Sequence, residues 1–520
     1  MPMSSNLSIP IFHCSINPRD SSVHHPFLGQ RARQWGCAPY PTYPSHLLGI
    51  SLLKETLTAI KTDAILPLLD RRRAHMSACE GRHVSTYGLP ILGQEICFTA
   101  DPENIQAACA TQAKDFAAGE PRKKLGGQLS GRNILTTDGK EWARHRAILR
   151  PQFSLSQIGD LDRCERHVQN AMVAIPVTSG KWTEPLDIQE IFRRFTVDSS
   201  TEFLFGRSVE SQISAVTDTK AMEADFAHHL DTCLEYAAKR AFSDRLYWLV
   251  DNQESRASER KVQQHVDRYV QDALKAFEER KLQADPERSP QYIFLHALMT
   301  VTQDPIELRN HVLTMLLAGR DTTASLLSWT VLLLARHPDE FQKLREAVLE
   351  DFGPYDAPRN LTFQSLGSCS RLQYCLKETL RLYPPLPLIG RTAVRDTTLP
   401  RGGGRDGREP IYVSKGQQII CSIHPVHRCR YTWGPDADDF KPSRWEGRKT
   451  SLEYLPFNIG PRRCIGQQFA LTEAGYTLVR LVQRFDRLED VNGRKEIKQK
   501  LTLTNTPLPS VTVRLHAPHA

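Results

Sequence analysis

The sequence predicts one large, mainly α-helical domain with small β-sheets, and three observations carry that prediction. Residues 306–337 are apolar nearly all round, and at 1.5 Å per residue they make a helix of roughly 48 Å. A helix that long and that apolar belongs at the centre of a large helical protein. Between about residues 47 and 383 the pattern is chiefly helical, whereas short β-prone runs gather after residue 389.

Residues 1–45 are rich in Pro, Ser and His and end in Cys37-Ala-Pro-Tyr-Pro-Thr-Tyr-Pro-Ser45. Prolines remove backbone donors and push the preceding residue into extended conformations, so this stretch is expected to be a non-helical leader and proline-rich hinge. Residues 46–520 form the main domain. Residues 1–22 lack the basic start and the apolar run of about 7–15 residues that a secretory signal requires. Residues 187–204 read as an amphipathic helix that stops before Gly206, and Val262, Val266, Val270 and Leu274 place an apolar stripe on another.

Residues 311–335 approach the length of a membrane span, but Arg320 and Asp321 sit in the middle. Each such charge costs about 2.5–3.5 kcal/mol at a bilayer centre, so this is a helix buried in protein, and no membrane span is visible. Strands are expected at 391–398, 410–413, 417–421, 501–503 and 511–513, and one more helix, after Cys464, runs to about Phe485. No internal repeat and no interdomain linker follow residue 50.

The 67 basic and 59 acidic residues give a net charge of +8, too dilute over 520 residues to indicate nucleic acid. The excess suits an acidic protein partner or an anionic membrane surface. The 12 cysteines show no repeated spacing, which indicates reduced thiols and leaves one free to serve as a soft metal ligand.

That one is Cys464, in Phe457-Asn-Ile-Gly-Pro-Arg-Arg-Cys464-Ile-Gly466. Gly460 and Pro461 force a turn and Gly466 allows close backbone approach. The cysteine then stands at a helix start, where free N–H groups and the dipole favour a thiolate able to ligate iron. A lone cysteine after a turn is ordinarily a small buried hydrophobe, but here Phe-x-x-Gly-x-Arg-x-Cys-x-Gly fixes five residues over ten positions.

This spacing resembles the haem loop of the cytochrome P450 family, and other segments resemble the family in the same order over roughly residues 35–515. The resemblance implies haem b with Cys464 as axial iron ligand, and Phe457 and Gly466 in the loop around it. In Lys377-Glu-Thr-Leu-Arg381, Glu378 and Arg381 share a helix face, a spacing that alone indicates only a surface ion pair. With Arg444 of Phe440-Lys-Pro-Ser-Arg-Trp445, the resemblance implies a structural Glu378–Arg381–Arg444 cluster beneath the haem. Trp142-Ala-Arg-His-Arg146 is similar to the family's propionate-holding helix, and Arg391 and Arg462 are implied as further propionate donors. Arg144, Arg146 and Arg150 add a basic flank suited to an acidic flavoprotein.

The central helix carries Ala318-Gly-Arg-Asp-Thr322-Thr323. A hydroxyl bonding back to the preceding turn can bend a helix with no chemistry involved. The resemblance assigns more: Thr322 hydrogen-bonds the bound dioxygen and Asp321 relays protons. Two other motifs carry no chemistry. Gly402-Gly-Gly404-Arg-Asp-Gly407 satisfies the dinucleotide pattern but lacks the strand–helix context, so it is a turn between strands. Cys421-Ser-Ile-His424-Pro-Val-His427-Arg-Cys429 lacks zinc-ligand spacing.

Ala318–Thr323, Thr398-Leu-Pro-Arg-Gly-Gly-Gly404 and Gly466-Gln-Gln-Phe-Ala-Leu-Thr-Glu473 are similar to the fungal alkane- and fatty-acid-hydroxylating group. That implies O2-dependent hydroxylation of a hydrophobic small molecule, terminal hydroxylation of a long aliphatic chain above all. Apolar lining would come from Leu386, Leu388 and Ile389. Electrons come from a separate NADPH–cytochrome P450 reductase, since no flavin or nicotinamide domain follows the cysteine helix. The alternatives are oxidation of a polyketide or terpenoid scaffold in fungal secondary metabolism, a reductase-independent isomerase or peroxide-consuming enzyme, and a non-enzymatic haem sensor or carrier. Family resemblance also implies the cytosolic face of the endoplasmic reticulum membrane. Members of the group carry an N-terminal membrane helix that residues 1–34 do not show.

Overall fold

A computed structural model describes residues 26–518 apart from 46, 155–156, 158, 160, 218–221, 244–249, 284–292 and 494–495. The central helix runs from Pro305 to Arg336, within a residue of the expected bounds. Asp304 caps it, accepting from the Ile306 N–H at 3.0 Å, and Pro305 takes the first position, where a missing N–H costs nothing. Around it pack the helices Ile188–Phe205, Gln253–Gln283, Ser370–Leu382 and Gln467–Arg484. Trp329, Leu327 and Leu333 bury against Leu376 and Leu380 of the Glu378 helix and against Leu478, Val479 and Val482 of the helix after the cysteine. Four hydroxyls of this helix satisfy themselves, Thr314, Thr322, Ser328 and Thr330 each donating to the carbonyl four residues back, whereas the buried Thr323 Oγ1 has no partner among the described residues.

The strands in chain order are β1 Thr86–Ile91, β2 Gln94–Thr99, β3 Phe116–Ala117, β4 Leu186–Asp187, β5 Leu388–Ala393, β6 Thr397–Gly403, β7 Glu409–Val413, β8 Gln418–Ser422, β9 Arg487–Asp490, β10 Lys498–Leu501, β11 Asn505–Leu508 and β12 Thr512–His516. They form one five-stranded sheet, β1-β2-β8-β5-β3, and smaller pairings β4-β12-β9, β6-β7 and β10-β11. Among the described strands, β2 and β8 pair in parallel and the other strand pairs are antiparallel. The first residue of β11 is stitched to the central helix, because the Asn505 carbonyl accepts from Ser325 Oγ at 2.6 Å and from Trp329 Nε1 at 3.0 Å.

Several expectations are corrected. The non-helical reading of 1–45 fails at Pro26–Gln34, which is a helix with its proline at the tolerated first position; residues 1–25 lie outside the described residues. The expected strand 391–398 is two strands, broken at 394–396, where Asp396 Oδ1 accepts from the Lys415 N–H at 2.9 Å. The β1–β2 hairpin lies inside the stretch read as chiefly helical. The Gly402–Gly407 segment lies at the β6–β7 hairpin, with Gly402 N–H donating to the Gly407 carbonyl at 2.8 Å. His427 is committed to the fold: its Nε2 accepts from the Leu455 N–H at 2.8 Å and its Nδ1 donates to the Arg381 carbonyl at 3.1 Å.

Glu473, in the helix after the cysteine, is buried with Ser199 donating to it, and burial pushes its carboxyl up to about 7. The folded state therefore holds this proton more tightly than the unfolded chain. Its stabilising effect is complete below the ordinary carboxylate range and is lost as pH rises through about 7. Glu473→Gln is expected to raise Tm at pH 8 and to give no gain at pH 5, as scanning calorimetry at both values would report.

Candidate active site

The cysteine loop is shaped by its glycine approach. Gly460 has φ +70°, and a Cβ there would fall 2.1 Å from the Cys109 carbonyl oxygen, so no other residue fits without moving backbone. The close approach expected of Gly466 is found at Gly460 instead: a Cβ at Gly466 would meet Phe153 at an ordinary 3.7 Å. Asn458, also at positive φ, accepts the Ile459 N–H on its own side chain at 2.7 Å. The Cys464 N–H then closes the loop onto the Phe457 carbonyl at 3.0 Å. The following helix begins at Gln467, so Cys464 precedes it by three residues rather than standing on its first turn.

Cys464 alone among the described cysteines is exposed. The protein mass around it pushes its thiol up, while the Gly466 N–H, Arg146 and Arg463 pull the other way, so the donor is poised for a cation that completes the stabilisation.

Positive charge gathers beside this loop. The Trp142 helix, Gly139–Leu149, sets Trp142 between Arg462, 4.8 Å from the ring centroid, and Arg146, 5.8 Å away. Arg146 donates to the Arg463 carbonyl at 3.1 Å, and Arg462 to Asp138 at 2.6 Å and the Thr137 carbonyl at 2.7 Å. Arg391 is buried on β5, where Nη1 reaches only the neighbouring Gly390 carbonyl and Nη2 has no partner among the described residues. Arg122, of the helix Gly119–Ser130, joins the group: burial, Arg391 and Arg462 push it down to about 10. Burial also pushes Arg462 down to about 10. Four neighbouring guanidiniums, of which Arg462 and Arg122 interact with Asp138 and Arg391 keeps an idle buried N–H, are a receptor for a dianion such as a pair of propionates. The sequence reading missed Arg122, whose only signal is the basic run Arg122-Lys-Lys124.

Glu378, Arg381 and Arg444 come together as expected. Glu378 holds Arg381 through Nε at 2.9 Å and Nη2 at 2.8 Å, and accepts from Arg444 Nε at 3.2 Å, Lys441 N–H at 3.0 Å and Trp445 Nε1 at 3.0 Å. On the central helix, Thr322 Oγ1 donates to the Ala318 carbonyl at 2.7 Å while the helix continues unbroken. Burial pushes the Asp321 carboxyl up against the pull of Arg320, which also pairs with Asp231 at 2.6 Å.

Two expected features change. Ile389 does not join Leu386 and Leu388 in a lining, because β5 alternates and Ile389 packs into the core between the sheets. Arg144 is not a free member of a basic flank, since it is ion-paired with Glu307.

The model of the family described as Cytochrome P450 matches residues 65–513. The chain belongs to the cytochrome P450 family. This P450 is 43% identical over 93% of its length to "Cytochrome P450 monooxygenase g430" of Fusarium sp, covering 85% of that protein. It is 44% identical to "Cytochrome P450 52A13" of Debaryomyces hansenii over 78% of each chain. The crystal structure of a cytochrome P450DA heme domain superposes with TM-score 0.70 at 24% identity, over 93% of this P450 and 97% of that chain. The P450 is thus a haem-thiolate monooxygenase, and its residues fit the cofactor: one exposed soft donor, a tight loop that presents it, and surplus buried cations beside it.

Proposed function

We propose that this P450 hydroxylates long aliphatic chains, alkanes or fatty acids, at the terminal position. One oxygen atom of O2 enters the C–H bond and the other leaves as water, using two protons and two electrons that reach the protein from NADPH through a separate reductase. The bound haem, held by Cys464 and by propionate contacts to Arg122, Arg146, Arg391 and Arg462 with Trp142 beside them, supplies oxygen activation. Phe457 and Gly466 keep the sulfur in position. The substrate class is supported by the motif resemblance to the aliphatic-hydroxylating group and by 44% identity to a Debaryomyces member of the 52A series. Residues 46–520 act as one haem domain behind a leader of 1–45, on the cytosolic face of the endoplasmic reticulum membrane. No helix among the described residues is long and apolar enough to cross a membrane.

The observation that carries the monooxygenase chemistry is the Asp321–Thr322 pair on the central helix. Burial pushes the Asp321 carboxyl up, and Arg320 lies against both Asp231, at 2.6 Å, and Asp321, at 3.6 Å, so the two carboxylates share one guanidinium. Thr322, already donating to Ala318, can pass a proton on by rotating its hydroxyl. Asp321→Asn is expected to cut product formation by about 10²–10⁴-fold while NADPH oxidation continues. A product-to-NADPH ratio unchanged from wild type would remove Asp321 from the proton path.

Reconstitution of the haem-loaded protein with a fungal reductase and NADPH, followed by mass spectrometry on alkanes and fatty acids, tests the substrate. Terminal alcohols are expected. A spectrally intact sample that yields none would favour the second reading, oxidation of a polyketide or terpenoid scaffold. That reading is supported by the Fusarium relative, which aligns over more of the chain than the Debaryomyces one. NADPH consumption coupled to product also separates a monooxygenase from a haem sensor or carrier.

A further inference from the structure

Two buried histidines have no hydrogen bonds. His145, on the Trp142 helix, is 3% exposed and His311, near the start of the central helix, is fully buried. None of their four ring nitrogens has a hydrogen-bond partner among the described residues. A buried polar atom left unpaired costs about 1–3 kcal/mol, so four in one place require a cause. The rings meet edge to face with centroids 4.9 Å apart, and Glu307 lies against both. Its Oε1 is 3.8 Å from His145 Nδ1 and 3.6 Å from His311 Nε2. These separations are too long for hydrogen bonds, but close to the roughly 3.3 Å between ligand atoms that share a tetrahedral zinc at ~2.0 Å.

We propose that His145, His311 and Glu307 bind one divalent transition-metal ion, zinc by the chemistry of the ligands, tying the Trp142 helix to the start of the central helix. One ligand atom from each residue lies within 4.8 Å of the others. Two imidazoles and a carboxylate are a three-ligand set that zinc accepts with a fourth position for water. A second carboxylate lies on the other side of the first imidazole, Glu141 Oε1 standing 3.6 Å from His145 Nε2, beyond hydrogen-bond range but near enough to close onto that ring nitrogen when the opposite one takes a metal. Local sequence builds both halves, since Glu141 and His145, like Glu307 and His311, are four apart on one helix face.

Arg144 is the competitor for this site. It pairs with Glu307 through both terminal nitrogens, Nη2 reaching Oε2 at 3.0 Å, while Thr302 Oγ1 donates to Oε2 at 2.7 Å. A metal at Oε1 displaces only Arg144 Nη1, and this guanidinium is exposed enough to swing outward. The site uses none of the residues assigned to the haem, but His145 adjoins Arg146, so an ion here braces the helix that carries a propionate contact.

The haem-loaded full-length chain, stripped with EDTA, would be titrated with Zn2+ by calorimetry, with bound metal counted by mass spectrometry. One equivalent per chain is expected, with a rise in Tm that saturates at that ratio. His311→Gln loses this equivalent with the haem spectrum unchanged, whereas Arg144→Ala binds zinc several-fold more tightly because its competitor is gone. X-ray absorption at the zinc edge is expected to show two imidazole nitrogens. Absence of stoichiometric binding, equal affinity in all three proteins, or sulfur in the zinc shell would overturn the proposal. If His311→Gln fails to fold, Arg144→Ala and the absorption spectrum of the wild type still decide.

Discussion

Cys464→Ala is expected to abolish hydroxylation and to eliminate the thiolate signature in the reduced-CO spectrum, while leaving the fold close to wild-type stability. Its side chain is the one exposed thiol among the described cysteines, and the backbone that carries it is held by other groups: the Phe457 carbonyl, the Gly460 approach to Cys109 and the Asn458 side chain. Removing the sulfur therefore removes a ligand without removing a support. No neighbour can substitute, because Cys109 and Cys421 are buried in the core between the sheets. Haem content, the CO difference spectrum and product by mass spectrometry should be measured on one preparation. Hydroxylation surviving in the alanine variant would sink the thiolate assignment.

Glu378→Gln is expected to do the reverse, destabilising the protein by about 3–5 kcal/mol and releasing haem as a consequence. The carboxylate has no solvent exposure and accepts five hydrogen bonds, three from guanidinium nitrogens and one each from the Lys441 N–H and the Trp445 indole. An amide presents an N–H2 where two of these donors point and leaves Arg381, also fully buried, without its counter-charge. Arg381 further donates to the carbonyls of His427 and Ala437, so the defect spreads into the segment leading to the cysteine loop. Against a total stability of about 5–15 kcal/mol, such a loss is decisive. The denaturant midpoint at unchanged slope measures it, and a shift worth under about 1 kcal/mol would show that the cluster is less tightly coupled than its geometry requires.

The central helix was legible because residues 306–337 are apolar nearly all round apart from Arg320 and Asp321, whereas its Asp304 cap and first-position Pro305 emerge only in the structure. The Glu378–Arg381 pair was legible from helical spacing, but its third member, Arg444, came only through family resemblance. The β1–β2 hairpin was hidden because β1 contains Gly88 and Pro90, residues depleted in strands, and its turn uses Leu92 and Gly93 at positive φ rather than an Asn-Gly pair. Pro90 is tolerated because β1 is an edge strand. Arg122 escaped because the two guanidiniums it joins, Arg391 and Arg462, lie more than 250 residues further along the chain, a distance over which no local pattern reaches. Ile389 was misassigned because one residue of strand reverses the face, and lining cannot be told from core without the register.

The stitch between Asn505 and the central helix bears on how the protein is made. Ser325 leaves the ribosome 180 residues before the carbonyl it donates to, a delay of roughly 9–36 s at ordinary elongation rates. β12, the partner of β4, is made later still. The central helix must therefore wait, incompletely covered, until β11 and β12 have been made. A ribosome stalled near codon 490 would display a sticky, nearly finished core, which makes this interval the one in which chaperones matter most.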